Sequence, residues 1–176
     1  MLIECGLYNS TDTIKLDGKI NDYYNNTNEI INYTKEENKI ENTIIKKNDK
    51  NIWEIEIPKI ELKANIYEGI SQETLNNYVG HFEDTSKLNG NIGLAAHNRG
   101  YNVNYFSRIK ELEQGDEIYY TYNGVRKKYI VNSKLIIKDT DWKYLENTED
   151  NRITLITCVE NKPEYRRCIQ GIETRL

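Results

Sequence analysis

The sequence predicts a mainly β fold, and three observations carry this prediction. Isoleucine and glutamate alternate from Trp53 to Ile57, which is the period-two pattern of a half-buried strand. Asn123-Gly124 separates two segments rich in tyrosine, isoleucine and valine, and this dipeptide is a strong hairpin signal. Short apolar runs bounded by turn residues recur toward the C-terminus, with few helical patterns between them. The expected architecture is therefore a β-barrel or a β-sandwich.

The other elements follow from the same patterns. Further strands are expected over Ile60–Ile66, Ile92–Ala96, Ile118–Tyr122, Tyr129–Ile137, Ile153–Val159 and Arg166–Leu176. A short helix is expected to begin after Ser71, which would cap it, and to end at Gly80. A second helix is expected over Val103–Leu112, with Phe106 and Ile109 facing inward.

The chain has 176 residues, enough for one domain with a tail. Residues 1–51 differ in composition from the rest, because asparagine, lysine, glutamate and tyrosine dominate much of this stretch. They are predicted to form a polar N-terminal extension that is partly helical or disordered, with a loosely packed helix around Thr34–Lys47. Residues 52–176 carry the strand signals and are predicted to form the folded domain.

Composition excludes several functions. Lys and Arg together number 24 and Asp and Glu 28, so the formal net charge at pH 7 is −4. This is the wrong sign for a dedicated nucleic-acid binder. Mean hydropathy is −0.79, and no uncharged apolar run approaches the roughly 20 residues of a bilayer span. The three cysteines and two histidines form no Cys-x-x-Cys pair, which argues against a zinc site. We expect no cofactor.

Three residues near strand ends combine the chemistry of a cysteine nucleophile and its partners. Cys158 comes at the end of one apolar strand, His97 follows another, and Arg166 opens the last one. The thiolate is the attacking form of cysteine, and a nearby imidazole and cation both lower the thiol pKa and manage the protons. Such partners are usually distant in sequence and meet only in the fold.

The same residues lie in motifs that resemble those of the sortases, the cysteine transpeptidases of Gram-positive bacterial surfaces. The five residues ending at Cys158, Thr-Leu-Ile-Thr-Cys, are similar to the Thr-Leu-x-Thr-Cys signature. Ala96-His97-Asn98 follows an apolar strand, and Arg166 begins an Arg-x-x-Ile-x-Gly pattern. The resemblance covers residues 52–176. Three further segments are most similar to the class D branch, with class B as the alternative: Ile57-Pro58-Lys59-Ile60, Ile66-Tyr67-Glu68-Gly69 and Gly80-His81-Phe82.

The resemblance implies a sortase-type eight-stranded β-barrel with a few short helices and a two-step acyl transfer. Cys158 would attack the threonine carbonyl of a Leu-Pro-x-Thr-Gly-like sorting signal and form a thioacyl enzyme. His97 would protonate the leaving amine and deprotonate the incoming one. Arg166 would donate hydrogen bonds to the substrate backbone or to the developing oxyanion.

The resemblance also implies partners and a location. The partners would be surface proteins that carry a C-terminal sorting signal and an amine on a cell-wall precursor. The enzyme would act at the extracytoplasmic face of the cell membrane, held there by an anchor that residues 1–176 do not contain.

Each site assignment has an alternative. A lone cysteine is most often a small apolar core residue, which is the alternative for Cys158. His81 competes with His97, although its position between glycine and phenylalanine favours packing or contact with solvent. Arg167 competes with Arg166, and only one can reach a groove because neighbouring strand residues point to opposite faces. The spacing to the following glycine favours Arg166.

Three other features have alternative interpretations. Cys168 is interpreted as a structural thiol, with a regulatory disulfide as the alternative. By the resemblance, Trp142 and Tyr144 lie in a loop that closes over the Leu-Pro part of a peptide, and simple anchoring of the loop is the alternative. Calcium in some class A relatives suggests a role for the carboxylates of two polar loops, but such carboxylates are usually solvated, and we predict no metal. These carboxylates belong to Glu83, Asp84, Asp139 and Asp141.

Two other functions compete with the transpeptidase. A cysteine protease would use the same nucleophile and acid/base, but the sequence lacks the Cys-Gly-x-Cys-Trp type of signature of papain-like enzymes. A non-catalytic β-barrel binding domain with an incidental buried cysteine is the second rival. Transfer to an added amine separates the first, and rapid alkylation of the thiol separates the second.

Overall fold

The structure is a computed structural model that describes residues 52–176. The helix expected around Thr34–Lys47 and the extension over residues 1–51 lie outside the described residues, and the domain boundary at residue 52 stays a prediction. Within the described part of the chain, no helix is long and apolar enough to cross a membrane.

Eight strands make up about half of the described chain. They are β1 (Trp53–Ile57), β2 (Leu62–Glu68), β3 (Val79–His81), β4 (Asn91–Ala95), β5 (Glu117–Tyr122), β6 (Val125–Lys138), β7 (Arg152–Val159) and β8 (Lys162–Thr174). Within residues 52–176, helical structure is limited to the four-residue helix α1 (Gln72–Leu75) and three 3-10 turns, at Pro58–Ile60, Ile109–Glu111 and Trp142–Leu145.

The strands close into a barrel in the order β1-β2-β3-β4-β7-β8-β6-β5. Two pairs are parallel, β2 with β3 and β4 with β7, and the other pairs are antiparallel. Closure gives every strand two partners, so the barrel has no open edge. The predicted mainly β, eight-stranded barrel is confirmed.

The hairpin predicted at Asn123-Gly124 joins β5 to β6. Both residues have positive φ, 48° and 79°, which is the backbone that a two-residue type I′ turn requires. Asparagine and glycine tolerate this region better than other residues. Tyr122 therefore pairs directly with Val125 across the turn.

The barrel interior is an apolar cluster that we call the barrel core. Its strand residues follow the period-two pattern: Ile55 and Ile57 of β1 are fully buried, whereas the intervening glutamate is not. The barrel core comprises Ile55, Ile57, Ile60, Leu62, Ala64, Ile66, Val79, Ile92, Leu94, Ala96, Phe106, Ile109, Leu112, Ile118, Tyr120, Tyr129, Val131, Ile153, Leu155 and Ile169.

The helix predicted over Val103–Leu112 is wrong. Only a 3-10 turn forms there, although Phe106 and Ile109 are buried as expected. Successive bonds from Ile109 N to Phe106 O and from Leu112 N to Ile109 O have a three-residue period. This period places all three side chains on one face without an α-helix, because residues three apart eclipse one another in 3-10 geometry.

The helix that begins after Ser71 ends earlier than predicted. Ser71 Oγ accepts a hydrogen bond from Thr74 N at 3.2 Å, which is the expected cap, but α1 ends at Leu75. Gly80 instead lies in β3. A Cβ atom there would come within 2.5 Å of the Gly69 carbonyl oxygen and 2.8 Å of Leu75 Cδ2. Close approach of the neighbouring backbone, not the end of a helix, requires glycine at this position.

Candidate active site

Strand register brings the three predicted residues into one row. Parallel pairing places Ala95 of β4 beside Ile156 of β7, so His97 comes level with Cys158 two residues later. On the other side of β7, Cys158 pairs directly with Arg166 of β8. Cys158 of β7 thus lies between Arg166 of β8 and His97, which follows the end of β4.

The three side chains share the outer face of the barrel. Ala96 and Leu155 belong to the barrel core, so the alternating residues of their strands point outward. A second apolar cluster, which we call the outer cluster, covers this face. It comprises Leu75, Phe82, Ala95, Ile137, Ile156, Cys158 and Cys168, with Ile70, Leu135, Tyr144 and Leu145 packed against it.

Hydrogen bonds fix the segment around His97 against β7. Thr157 Oγ1 donates to the Ala96 carbonyl at 2.7 Å. Asn98 Nδ2 donates to the Cys158 carbonyl at 2.8 Å. The residues on either side of His97 are thus tied to β7, which holds the imidazole beside the cysteine although β4 ends at Ala95.

The His97 ring is buried and stacks on an aromatic neighbour. Its ring lies 3.5 Å from that of Tyr101, centroid to centroid, with 7° between the planes. Burial lowers the pKa of His97, because the charged form loses water. Its Nε2 atom makes no hydrogen bond to any residue within 52–176. A neutral imidazole at pH 7 is the form that can accept a proton.

Cys158 lies at the rim of the outer cluster. It is 6% exposed and is the penultimate residue of β7, and a two-residue turn that includes Asn161, at φ 59°, leads from β7 into β8. The register between β7 and β8 shifts immediately after Cys158, which marks the end of regular pairing. Cys158 is disulfide-bonded in the structure. The disulfide must therefore be reduced before the Cys158 thiolate can react.

Arg166 is buried beside Cys158. Its Nη1 donates to the carbonyl oxygens of Pro163 at 2.6 Å and Tyr165 at 2.9 Å, and its Nη2 lies 3.9 Å from Asp139 Oδ2. Burial lowers the pKa of the guanidinium and the Asp139 carboxylate opposes that effect, but arginine starts so high that it stays a cation.

Of the two adjacent arginines, only Arg166 shares the face of the cysteine. Arg167 pairs with Thr157, and strand alternation points it to the opposite face.

An apolar groove leads away from Arg166 across the outer face. The guanidinium lines it together with the side chains of Trp142 and Tyr144, which the sequence placed in a loop over the site. The other lining residues are Phe82, Ile137, Lys138, Asp139, Asp141, Leu145 and Ile156. The groove has apolar walls with charged groups at one end, as binding sites for partly apolar ligands do.

Sequence reasoning missed a buried polar network beneath the groove. Asn91 Nδ2 donates to the carbonyl oxygens of Tyr144 at 2.8 Å and Glu146 at 2.9 Å. Thr154 Oγ1 donates to Asn91 Oδ1 at 2.7 Å, and Gln170 Nε2 donates to Thr154 Oγ1 at 3.0 Å. Three strands are thereby connected to the loop that carries the groove wall. Asn91 before the apolar run was the only sequence signal, and it indicates a turn as readily.

Neither Cys168 nor His81 joins the row of His97, Cys158 and Arg166. Cys168 is free and fully buried, and burial raises the pKa of its thiol to about 12. This agrees with its interpretation as a structural thiol. The His81 ring is also fully buried, packs 5.1 Å from the Trp53 ring and contacts Glu68 Oε1 through Nδ1 at 2.7 Å. Packing, the alternative given for His81, is what the structure shows.

The acidic residues of the polar loops divide between two places. Asp139 and Asp141 line the groove beside Arg166, whereas Glu83 and Asp84 line a neighbouring depression. Within residues 52–176, no three potential ligands gather in a metal-binding arrangement.

Comparison with known proteins gives one consistent family. The Sortase domain family matches residues 55–171. Sortase A of Bacillus anthracis is 29% identical over 119 residues, which are 67% of this chain and 57% of that protein. Sortase D of Bacillus subtilis is 33% identical over 107 residues, covering 59% and 52%. The chain therefore spans about half the length of the curated relatives that it matches.

Solved structures agree with the sequence relatives. Sortase A from Corynebacterium diphtheriae superposes with a TM-score of 0.68 at 26% identity, covering 72% of this chain and 61% of that one. The pilus-related sortase C of Group B Streptococcus gives 0.67 at 26% identity, covering 72% and 68%. These similar proteins have class A, C and D names, so the class D resemblance stays a prediction. The chain belongs to the sortase family.

Proposed function

We propose that this protein is a cysteine transpeptidase that cleaves a Leu-Pro-x-Thr-Gly-like sorting signal after threonine and transfers the acyl group to a cell-wall amine. One observation carries the proposal above all: the row of His97, Cys158 and Arg166 on the outer face of three adjacent strands. A reactive thiol, an acid/base and a fixed cation are the minimum set for acyl transfer through a thioester. Membership in the sortase family supports the same chemistry.

In the first half of the reaction, the reduced Cys158 transfers its proton to His97 and attacks the threonine carbonyl carbon. The carbonyl oxygen becomes an oxyanion as the carbon becomes tetrahedral. Collapse of this intermediate breaks the peptide bond, and His97 gives its proton to the departing amine. The product is a thioester between Cys158 and the threonine acyl group.

In the second half, an incoming amine replaces the departed one. His97, neutral again, removes a proton from this amine as it attacks the thioester carbonyl. Collapse then forms the new amide bond and expels the thiolate of Cys158. The lowered pKa of His97 keeps the imidazole neutral at pH 7, which suits it to accept both protons.

Arg166 stabilises the charge that develops on the carbonyl oxygen or aligns the substrate backbone. Its guanidinium is fixed before the reaction, because the carbonyl oxygens of Pro163 and Tyr165 accept hydrogen bonds from Nη1. A preorganised cation in a site that largely excludes water stabilises an oxyanion more than a mobile one in solvent does.

The groove beside Arg166 is the surface that we assign to the part of the signal that precedes threonine. Its apolar walls, with Trp142 and Tyr144 at one side, suit a leucine and a proline. In this proposal the partners are surface proteins bearing a C-terminal signal and a cell-wall precursor amine, and the protein acts at the extracytoplasmic face of the membrane through an anchor. The family supports these partners and this location in general terms.

The test is a transfer assay with reduced protein, a Leu-Pro-x-Thr-Gly peptide library and a small amine. The wild-type protein is expected to cleave after threonine and to form the amide with the added amine. Cys158→Ala, His97→Ala and Arg166→Ala are each expected to lose turnover, whereas Arg167→Ala keeps most of it. Reductant must be present, because the structure gives Cys158 as a disulfide cysteine.

Two outcomes of this assay would contradict the proposal and favour another function. Cleavage without any aminolysis product, at every amine concentration, would identify a hydrolytic cysteine protease. No cleavage of any peptide, together with inertness of the reduced Cys158 to alkylation, would identify a non-catalytic binding domain.

A further inference from the structure

Tyr101 lies flat against the acid/base of the proposed reaction. The two rings are almost parallel, at 7°, and their centroids are only 3.5 Å apart. Aromatic pairs of neutral rings prefer offset or edge-to-face arrangements with centroids about 4.5–7 Å apart, because the negative faces of directly stacked rings repel. The His97 and Tyr101 rings thus adopt the geometry that two neutral rings avoid.

The same geometry is favourable once the imidazole is protonated. A cation over the face of a tyrosine ring, within about 6 Å of its centroid, is attracted by the ring quadrupole. In the proposed mechanism His97 carries a second proton only while the tetrahedral intermediates form and collapse. A partner that attracts the protonated ring therefore acts at the steps where charge is present.

The loop places the Tyr101 ring independently of the stack. Gly100, at φ 79°, lets the chain reverse after His97. The Asn104 side chain then holds the Tyr101 backbone at both ends, because Oδ1 accepts from Tyr101 N at 3.3 Å and Nδ2 donates to Tyr101 O at 2.6 Å.

The loop closes on the histidine itself. Phe106 N donates to the His97 carbonyl at 3.0 Å, and the Phe106 side chain is buried in the barrel core. The residues between them form a closed loop with its base at His97, so backbone and side-chain hydrogen bonds hold the phenol ring over the imidazole.

We infer that Tyr101 is a positioning residue that fixes the His97 ring and stabilises its protonated form during acyl transfer. This role rests on the proposed function, because that reaction is the step in which His97 is protonated near pH 7. On the outer face, level with His97, the adjacent strands carry Cys158 of β7 and Arg166 of β8. On its own loop, Arg99 donates to Asn161 Oδ1 at 3.1 Å. Substitution of Tyr101 alters none of these groups.

Three substitutions of Tyr101 separate the attraction of its ring for the imidazolium from its exclusion of water from His97. Tyr101→Phe keeps the aromatic face, so the pKa of His97 is expected to stay unchanged. Tyr101→Leu keeps an apolar cover but removes the ring quadrupole, so the pKa is expected to fall by about half a unit or more. Tyr101→Ala admits water, which reduces the desolvation of the imidazolium, so the pKa is expected to rise relative to Tyr101→Leu.

The measurement is a pH titration of the histidine ring resonances by NMR, on the reduced 176-residue chain with labelled histidine. The chain has only two histidines, so the spectrum of His97→Gln assigns both. Tyr67→Leu is the matched control, because Tyr67 is 58% exposed and stacks on Tyr78 instead. Tyr101→Met is a second aliphatic variant should Tyr101→Leu fail to fold. A pKa of His97 that is unchanged or raised relative to the wild type in Tyr101→Leu, or in Tyr101→Met where it replaces that variant, would overturn the inference.

Turnover gives the second readout. With the peptide and amine of the transfer assay, Tyr101→Leu is expected to lower kcat about threefold to tenfold with little change in KM, and Tyr101→Phe to restore kcat. A rise in KM alone would assign Tyr101 to substrate binding and overturn the inference. Absence of turnover in the wild-type protein would defeat the proposed function, whereas the titration needs no substrate and would still report on the ring pair.

Discussion

The two faces of β4, β7 and β8 are both buried, yet their chemistry differs completely. The inner face is aliphatic where it meets the barrel core, with side chains such as Leu94, Leu155 and Ile169 fully buried. The outer face combines apolar residues with His97, Cys158 and Arg166. One set of strands thus supplies a rigid interior and, on its other side, a buried but polar surface.

The difference shows how a small barrel keeps reactive groups away from water without placing them in its core. Polar groups in the interior would need partners that an aliphatic core cannot provide. On the outer face the loop between β6 and β7 provides such partners. The carbonyl oxygens of Tyr144 and Glu146 accept hydrogen bonds from the buried Asn91 side chain. Rigid strands position the groups and a covering loop limits their exposure.

The largest effect is expected from the two cysteines of the outer cluster. Cys158→Ala should reduce transfer by at least about a thousandfold, because the nucleophile is lost. Cys168→Ala, on the adjacent strand, should retain most activity, because its thiol is fully buried and its pKa is about 12. Steady-state transfer kinetics measures both. Comparable losses of transfer activity in Cys158→Ala and Cys168→Ala would contradict the assignment of Cys158 alone as the nucleophile.

The two adjacent arginines should differ nearly as much. Arg166→Ala is expected to lower kcat about 10²- to 10³-fold, the usual cost of an oxyanion donor. Arg167→Ala should stay within a few-fold of the wild type, because this side chain points to the other face. The same assay measures both variants. Full activity in Arg166→Ala would transfer the role to its neighbour.

Adjacent residues of β7 should separate stability from binding. Leu155→Ala leaves a cavity in the barrel core and should lower the free energy of unfolding by about 2–5 kcal/mol with an unchanged KM. Ile156→Ala, which widens the groove, should raise KM for the peptide. Urea unfolding and peptide kinetics distinguish these results. A raised KM in Leu155→Ala at a temperature where it is folded would show that the two faces are not independent.

The smallest effect is expected from the buried polar network. Thr154→Val removes the hydroxyl that bonds Asn91 and Gln170, and should cost about 1–3 kcal/mol in unfolding free energy. KM should rise a few-fold as the loop that carries Trp142 loosens. The control is Thr148→Val in the loop that carries Trp142, because the Thr148 hydroxyl donates to Asp150 O at 2.9 Å and not to the network. If Thr154→Val and Thr148→Val changed the free energy of unfolding and KM equally, the network would not be what positions the loop.

The sequence predicted what local pattern determines. Alternation over Trp53–Ile57 and the turn chemistry of Asn123-Gly124 predicted a strand and a hairpin that the structure contains, and the motif at Cys158 indicated the candidate site. Spacing at Phe106, Ile109 and Leu112 misled, because a three-residue period fits 3-10 turns as well as an α-helix.

The sequence does not show which residues of β4 and β7 face the barrel core and which face outward. Strands buried on both sides lack alternation, so nothing in the apolar run before His97 distinguishes inward from outward residues. The network of Asn91, Thr154 and Gln170 was equally hidden, because its members come from three separate segments and only the fold brings them together.

The most direct test of the account is to trap the acyl enzyme. Reduced protein is incubated with a Leu-Pro-x-Thr-Gly peptide without any added amine, quenched with acid, digested and analysed by mass spectrometry. The account predicts the mass of the peptide acyl group on the fragment containing Cys158 and none on that containing Cys168, with loss of the adduct when amine is added before the quench. An acyl group on Cys168, or turnover without any adduct on Cys158, would contradict it.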